Sequence, residues 1–243
     1  MPDSNRSYTE RQQRASVLVT NITDMTPAFS PMDPTLSIAS FGAFVEEVGT
    51  ANGAVDGATT DFDTAVNTRM MEAKAAQKLV TQIVASVKSN TAWKANFPRI
   101  KELADKIRGI KPQTKTPPPP APEPGQPAPP VLKKRDRGDG SYAEIAANFK
   151  ALAGAVSKLA GYAPQDPALS PSALATLGGR LVTNNETVAT ADSTLDTAQR
   201  KRFALFADED TGLADKFQAV KNAVKGQYGQ SSEQYAAVKG LRW

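Results

Sequence analysis

An all-α fold of two tandem four-helix up-down bundles, joined by a proline-rich linker, is predicted by three observations. A stretch of sequence occurs twice, its apolar positions recur at helical spacing, and the two occurrences flank a segment that holds ten of the eighteen prolines. A chain of 243 residues, 40% of them hydrophobic, is long enough for one large or two small domains. Only 7% are aromatic and alanine dominates the apolar positions, so the expected core is made of small side chains that let helices approach closely.

The repeat is read at a constant offset of 133. Asp33–Met70 laid on Asp166–Phe203 matches at Asp33, Pro34, Leu36, Ser37, Thr50, Asn52, Val55, Ala58, Asp63, Thr64, Ala65 and Arg69, twelve of thirty-eight positions without a gap. The flanks agree: Ser7-Tyr8 and Ser141-Tyr142 open the two copies, and Ile107–Lys111 (IRGIK) and Val238–Arg242 (VKGLR) close them. The chain therefore reads as two copies of one unit, a first bundle at 1–111 and a second at 141–243, each expected to fold alone.

Each copy opens with a helix, SYTERQQRASVLVTNI or SYAEIAANFKALAGAVSKLA, started by its serine as a cap. A second helix follows Asp-Pro-x-Leu-Ser, where Ser37 or Ser170 is placed to accept an orphan backbone N–H. Along it Phe41, Val48, Val55 and Phe62 recur every seven residues with Phe44, Ala51, Ala58 and Ala65 three positions on. The second copy answers with Leu174, Leu181, Val188 and Leu195, accompanied by Leu177, Asn184, Ala191 and Ala198. The series ends at Arg69 and Arg202. A cation there either reaches for a carboxylate in the bundle or marks where the helix leaves it, and the second reading is preferred.

Third helices are expected at AKAAQKLVTQIVASVKS and GLADKFQAVKNAVKGQY, and short fourth ones at PRIKELADKIRG and SSEQYAAVKGL. The second copy carries about four extra residues near Asp208–Gly212 (DEDTG), which place a turn between its second and third helices. Arg69–Gln77 has no comparable break, so the second and third helices of the first copy are either separate or continuous.

The linker is assigned to 112–140. Its proline content favours polyproline II, a semi-rigid spacer; a P-x-x-P segment also suits an SH3-like groove, and the spacer reading is preferred. At its end lies the densest cationic stretch, Lys133, Lys134, Arg135 and Arg137.

Near the C-terminus Val224-Lys225, Tyr228-Gly229, Ser232 and Tyr235 form a pattern that resembles the ends of helical proteins of unknown function from bacterial genomes. Physically, Gly229 ends one helix in a left-handed cap and Ser231 or Ser232 caps the next. The first copy departs from the pattern, with Asn90, Trp93 and Phe97 in the corresponding stretch. The resemblance implies no activity, ligand or catalytic residue.

With neither cysteine nor histidine, the chain lacks disulfides, thiolate nucleophiles, zinc-finger spacing and every mechanism that relies on a histidine base. It also has no phosphate-binding glycine loop. Asp208–Gly212 alternates carboxylates as calcium loops do but lacks their later ligands, so a polar turn is preferred. Asp61 with Asp63 and Asp192 with Asp196 lie off the apolar stripe, on what reads as a solvated face rather than an acid-base pair. Asn21 and Asn185 stand in formal glycosylation sequons, read as coincidences. No cofactor or metal site is expected.

The net charge is +4, and no apolar run is long enough to span a membrane. The N-terminal stretch is charged where a signal peptide is apolar, so the chain reads as cytoplasmic by default. The function expected is that of a non-enzymatic structural protein that self-associates through its two similar helical domains into a filament or array. The alternative is a nucleic-acid-binding or adaptor protein that uses Lys133, Lys134, Arg135 and Arg137 or the bundle surfaces.

Overall fold

Both long helices are launched by the same local chemistry. In a computed structural model that describes residues 4–110 and 141–242, Asp33 and Asp166 each accept the backbone N–H two residues on, at 2.8 and 2.9 Å. Each caps a single 3-10 turn with proline at its start, Pro34–Leu36 and Pro167–Leu169. The Thr35 hydroxyl, and then its backbone N–H, hold the Asp33 carboxyl below the usual carboxylate range. Ser37 then accepts the Ser40 N–H and Ser170 the Ala173 N–H, the N-cap role expected of both serines.

The described residues form seven α-helices and no strand. They are α1 (Ser4–Thr23), α2 (Ile38–Ser89), α3 (Phe97–Ile107), α4 (Tyr142–Val156), α5 (Pro171–Ala207), α6 (Leu213–Tyr228) and α7 (Glu233–Lys239). Ser141 begins α4 with a full capping box to Glu144, as its sequence suggests. Ser7 does not act as its counterpart, because α1 already starts at Ser4. The second and third helices expected of the first copy are one continuous helix of 52 residues. With neither proline nor an inserted loop between Arg69 and Gln77, nothing interrupts the backbone ladder there.

In the second copy the chain does break, at Asp208–Gly212. The Gly212 N–H bonds to the Asp208 carbonyl at 2.8 Å, the Asp215 carboxylate accepts the Asp210 N–H at 3.0 Å, and Asp210 takes a positive φ of 64°. A Cβ on Gly212 would stand 2.7 Å from the Asp208 oxygen, which is backbone and cannot swing aside. Gly212→Ala is therefore expected to cost about 1–3 kcal/mol, seen as a lower midpoint in thermal unfolding followed by circular dichroism. Gly229 ends α6 as expected with a positive φ of 90°, but its ψ of 159° puts it in the extended region that essentially only glycine enters, not in a left-handed turn.

The long apolar stripe is buried at Phe41, Val48 and Val55 in α2 and at Leu174, Leu181 and Val188 in α5; Phe62 and Leu195, at its far end, are half-buried. What the stripe packs against differs from the sequence expectation. The chain forms two compact units, Met1–Asp63 with Thr190–Trp243, and Thr64–Ala189, so both unit boundaries fall inside the long helices. The division expected at 1–111 and 141–243 is not the division into compact units.

One core takes Leu18, Ile22, Phe41 and Val48 from the first half of the chain and Phe217, Val220, Val224 and Val238 from the second. The other takes Val80, Ile83, Ile100 and Leu103 from the first half and Phe149, Leu152, Leu174 and Leu181 from the second. The physical reason is the continuity of α2 and the length of α5. A repeat that ran back on itself after Arg69 could have filled its own core; a helix that continues must find its cover on the other half. The linker expected at 112–140, with Lys133, Lys134, Arg135 and Arg137, lies outside the described residues.

Candidate functional site

Because each core is shared, the chemistry of the molecule concentrates on the seams where the first half meets the second. In the unit that contains α1, the guanidinium of Arg202 lies 4.2 Å from the ring centroid of Tyr8, and Phe206 meets the same ring edge-on at 4.7 Å. In the other unit Arg69 lies 4.3 Å over Tyr142. Both arginines end the apolar stripe of their own half and rest on the tyrosine that opens the other half. Each arginine lies beyond the point where its helix passes from one compact unit into the other, in keeping with the preferred sequence reading, and what it rests on there is a tyrosine: a flat, weakly hydrated guanidinium can cover an aromatic face inside the packing. Burial lowers the affinity of Arg202 for its proton, opposed by Tyr8 and Asp56.

A second contact is also reciprocal. The Tyr228 hydroxyl donates to the Pro27 carbonyl at 2.6 Å, and the Trp93 indole N–H donates to the Ala160 carbonyl at 3.0 Å. Pro27 and Ala160 are related by the offset of the repeat, so each half offers a carbonyl after its first helix to an aromatic donor of the other. The first copy's departure from the C-terminal pattern has its reason here, since tryptophan performs the contact for which the second copy uses tyrosine. Around Tyr228 the contact is more extensive. Gln227 donates to the Ala28 carbonyl and accepts the Ser30 N–H, both at 2.9 Å, while Gln234 donates to the Thr26 carbonyl at 2.7 Å, beside the cis Thr26–Pro27 peptide. The Asn21 amide reaches the Ala237 carbonyl at 3.3 Å.

Two ion pairs also cross the seams. The Lys201 Nζ lies 3.9 Å from Glu47, and the Arg180 Nε lies 3.1 Å from Glu72, whose second oxygen accepts from Asn184 at 3.2 Å. These contacts join helices and the segments between them: packed apolar faces, cation–π stacking, and side-chain donors on backbone carbonyls.

Elsewhere the structure gathers little. Asp61, Asp63, Asp192 and Asp196 are exposed, the solvated face expected of them, with Asp196 paired to Arg200 on its own helix. No group of three or more acidic side chains able to hold a metal occurs among the described residues. A groove of about 400 Å³ between α3 and α4 is lined by Arg99, Lys158 and Asn96 with Ile100, Leu103 and small residues, and contains neither carboxylate nor hydroxyl. No helix among the described residues is long and apolar enough to cross a membrane. The sequence picked out Arg69, Arg202 and both Ser-Tyr openings but not their pairing, because a repeat reveals which residues recur and not which copy each one faces. Comparisons with family models, with curated proteins and with solved structures find no match for the chain.

Proposed function

We propose that the protein is a non-enzymatic structural protein, built from an internal duplication, that self-associates by exchanging halves between chains. The observation that carries this reading is that both cores draw on both halves. A half is then an unfinished module, and its complement is present on every other copy of the chain. When the first half of one chain completes the second half of the next, contact is heterologous and propagates into a filament or array. The composition of 112–140 supports this, because a proline-rich segment of about thirty residues between the halves favours a spacer rather than a part of either core.

Negative-stain electron microscopy and light scattering across concentration and salt test the proposal. Polymers or larger oligomers that grow with concentration are the expected result, and discrete monomers throughout would remove it. Replacing Lys133, Lys134, Arg135 and Arg137 by glutamine is expected to leave assembly unchanged. Tight, salt-dependent nucleic-acid binding that this variant abolishes would instead move the protein into the nucleic-acid-binding class.

A further inference from the structure

Glu47 and Arg180 occupy equivalent places in the repeat, yet they carry opposite charges, and so do their partners. In one unit Glu47 of the first half faces Lys201 of the second at 3.9 Å; in the other, Glu72 of the first half faces Arg180 of the second at 3.1 Å. The first half supplies the acid both times and the second half the base both times. We infer that these four side chains are a pairing code, which makes the first half of the chain bind a second half and reject another first half. The partner it selects is a second copy of this chain, joined head to tail. The inference rests on the proposed exchange of halves and specifies its polarity.

The contact that both units share does not supply this selectivity. Arg69 on Tyr142 and Arg202 on Tyr8 are the same contact made twice, so either arginine would fit either tyrosine. The apolar stripes are likewise built of interchangeable aliphatic and aromatic side chains. With two first halves paired, Glu47 would meet Glu72 within a helical turn; with two second halves paired, Arg180 would meet Lys201. Exposed ion pairs add little to stability, but like charges brought together at a seam penalise the wrong partner, as they do in coiled coils. Either pairing leaves a free half at each end, but homotypic pairing alternates the direction of successive chains, whereas heterotypic pairing runs them all head to tail.

The test uses the full chain with a protease site inserted within 112–140. The folded protein is nicked, unfolded in urea and refolded, and native mass spectrometry counts which halves pair. The unsubstituted protein is expected to give almost only mixed pairs. Glu72→Lys should raise the share of pairs between two first halves several-fold, because the introduced ammonium would repel Arg180 and attract Glu47. Lys201→Glu should do the same for two second halves, through the other ion pair. In Glu72→Lys with Arg180→Glu the ion pair is restored in reverse, so the melting temperature should return to that of the unsubstituted protein while mixed and like pairs form indiscriminately. A purely stabilising role would restore both. Random pairing in the unsubstituted protein, or unchanged pairing in both single variants, overturns the code while leaving complementary halves intact. Halves that fail to associate at all overturn complementary halves and the code together.

Discussion

Residues 1–110 and 141–243, produced separately, are expected to show no cooperative melting transition as monomers and to regain one when mixed. The sequence suggests the opposite, since each half carries its own caps, stripe and closing segment. The shared cores decide the matter. Without the second half, the core around α1 loses Phe206, Leu213, Phe217, Val220, Val224 and Val238, all buried in the intact protein. At roughly 1.5–3 kcal/mol for each fully buried side chain, the loss is on the order of 10 kcal/mol, comparable to the whole stability of a small domain. Residual helix in α2 is expected even so, because a helix of 52 residues is well past the length at which nucleation limits it. The readings are thermal melts by circular dichroism of each fragment and of the mixture. Two fragments that each melt sharply as monomers would mean that each half has a core of its own.

The secondary structure was legible because its signals are local. Ser37 and Ser170 announce their caps, Asp208–Gly212 announces its turn, and the seven-residue spacing from Phe41 to Val55 announces a buried face. The grouping of helices was not legible, for a physical reason visible at Arg69–Gln77. Whether a helix ends or continues there depends on a few tenths of a kcal/mol per residue, and no proline, glycine or inserted loop tips the balance. Continuation reassigns Val80 and Ile83 from the core of their own half to a core shared with Phe149. The same ambiguity hid the seams. Tyr8 and Arg202 are separated by almost the whole chain, and their meeting follows only once α2 is known not to turn back. The offset between Pro27 and Ala160 was present in the sequence but gained meaning only from the aromatic donors that face them.

Phe217→Ala, in α6, is expected to loosen α1 and the beginning of α2, helices of the opposite half. Phe217 is almost fully buried among Leu18, Phe41 and other side chains of that core, and truncating such a residue costs about 3–5 kcal/mol through lost contacts and an unfilled cavity. Backbone amides that exchange by opening of this unit should then exchange at least roughly a hundredfold faster, since each 1.4 kcal/mol is a factor of ten. The affected amides should be those of α1, residues 38–63 of α2, and α6 and α7, while α3 and α4 keep their protection. Phe149→Ala, in α4, is the reciprocal case, because Phe149 lies in the other core with Ile83 and Ile100. It should expose α3 and the later part of α2 and spare α1. Hydrogen exchange followed by mass spectrometry resolves these segments directly. If Phe217→Ala left α1 protected and Phe149→Ala left α3 protected, stability would follow the order of the chain, and cores shared between the halves would have to be abandoned along with the exchange that depends on them.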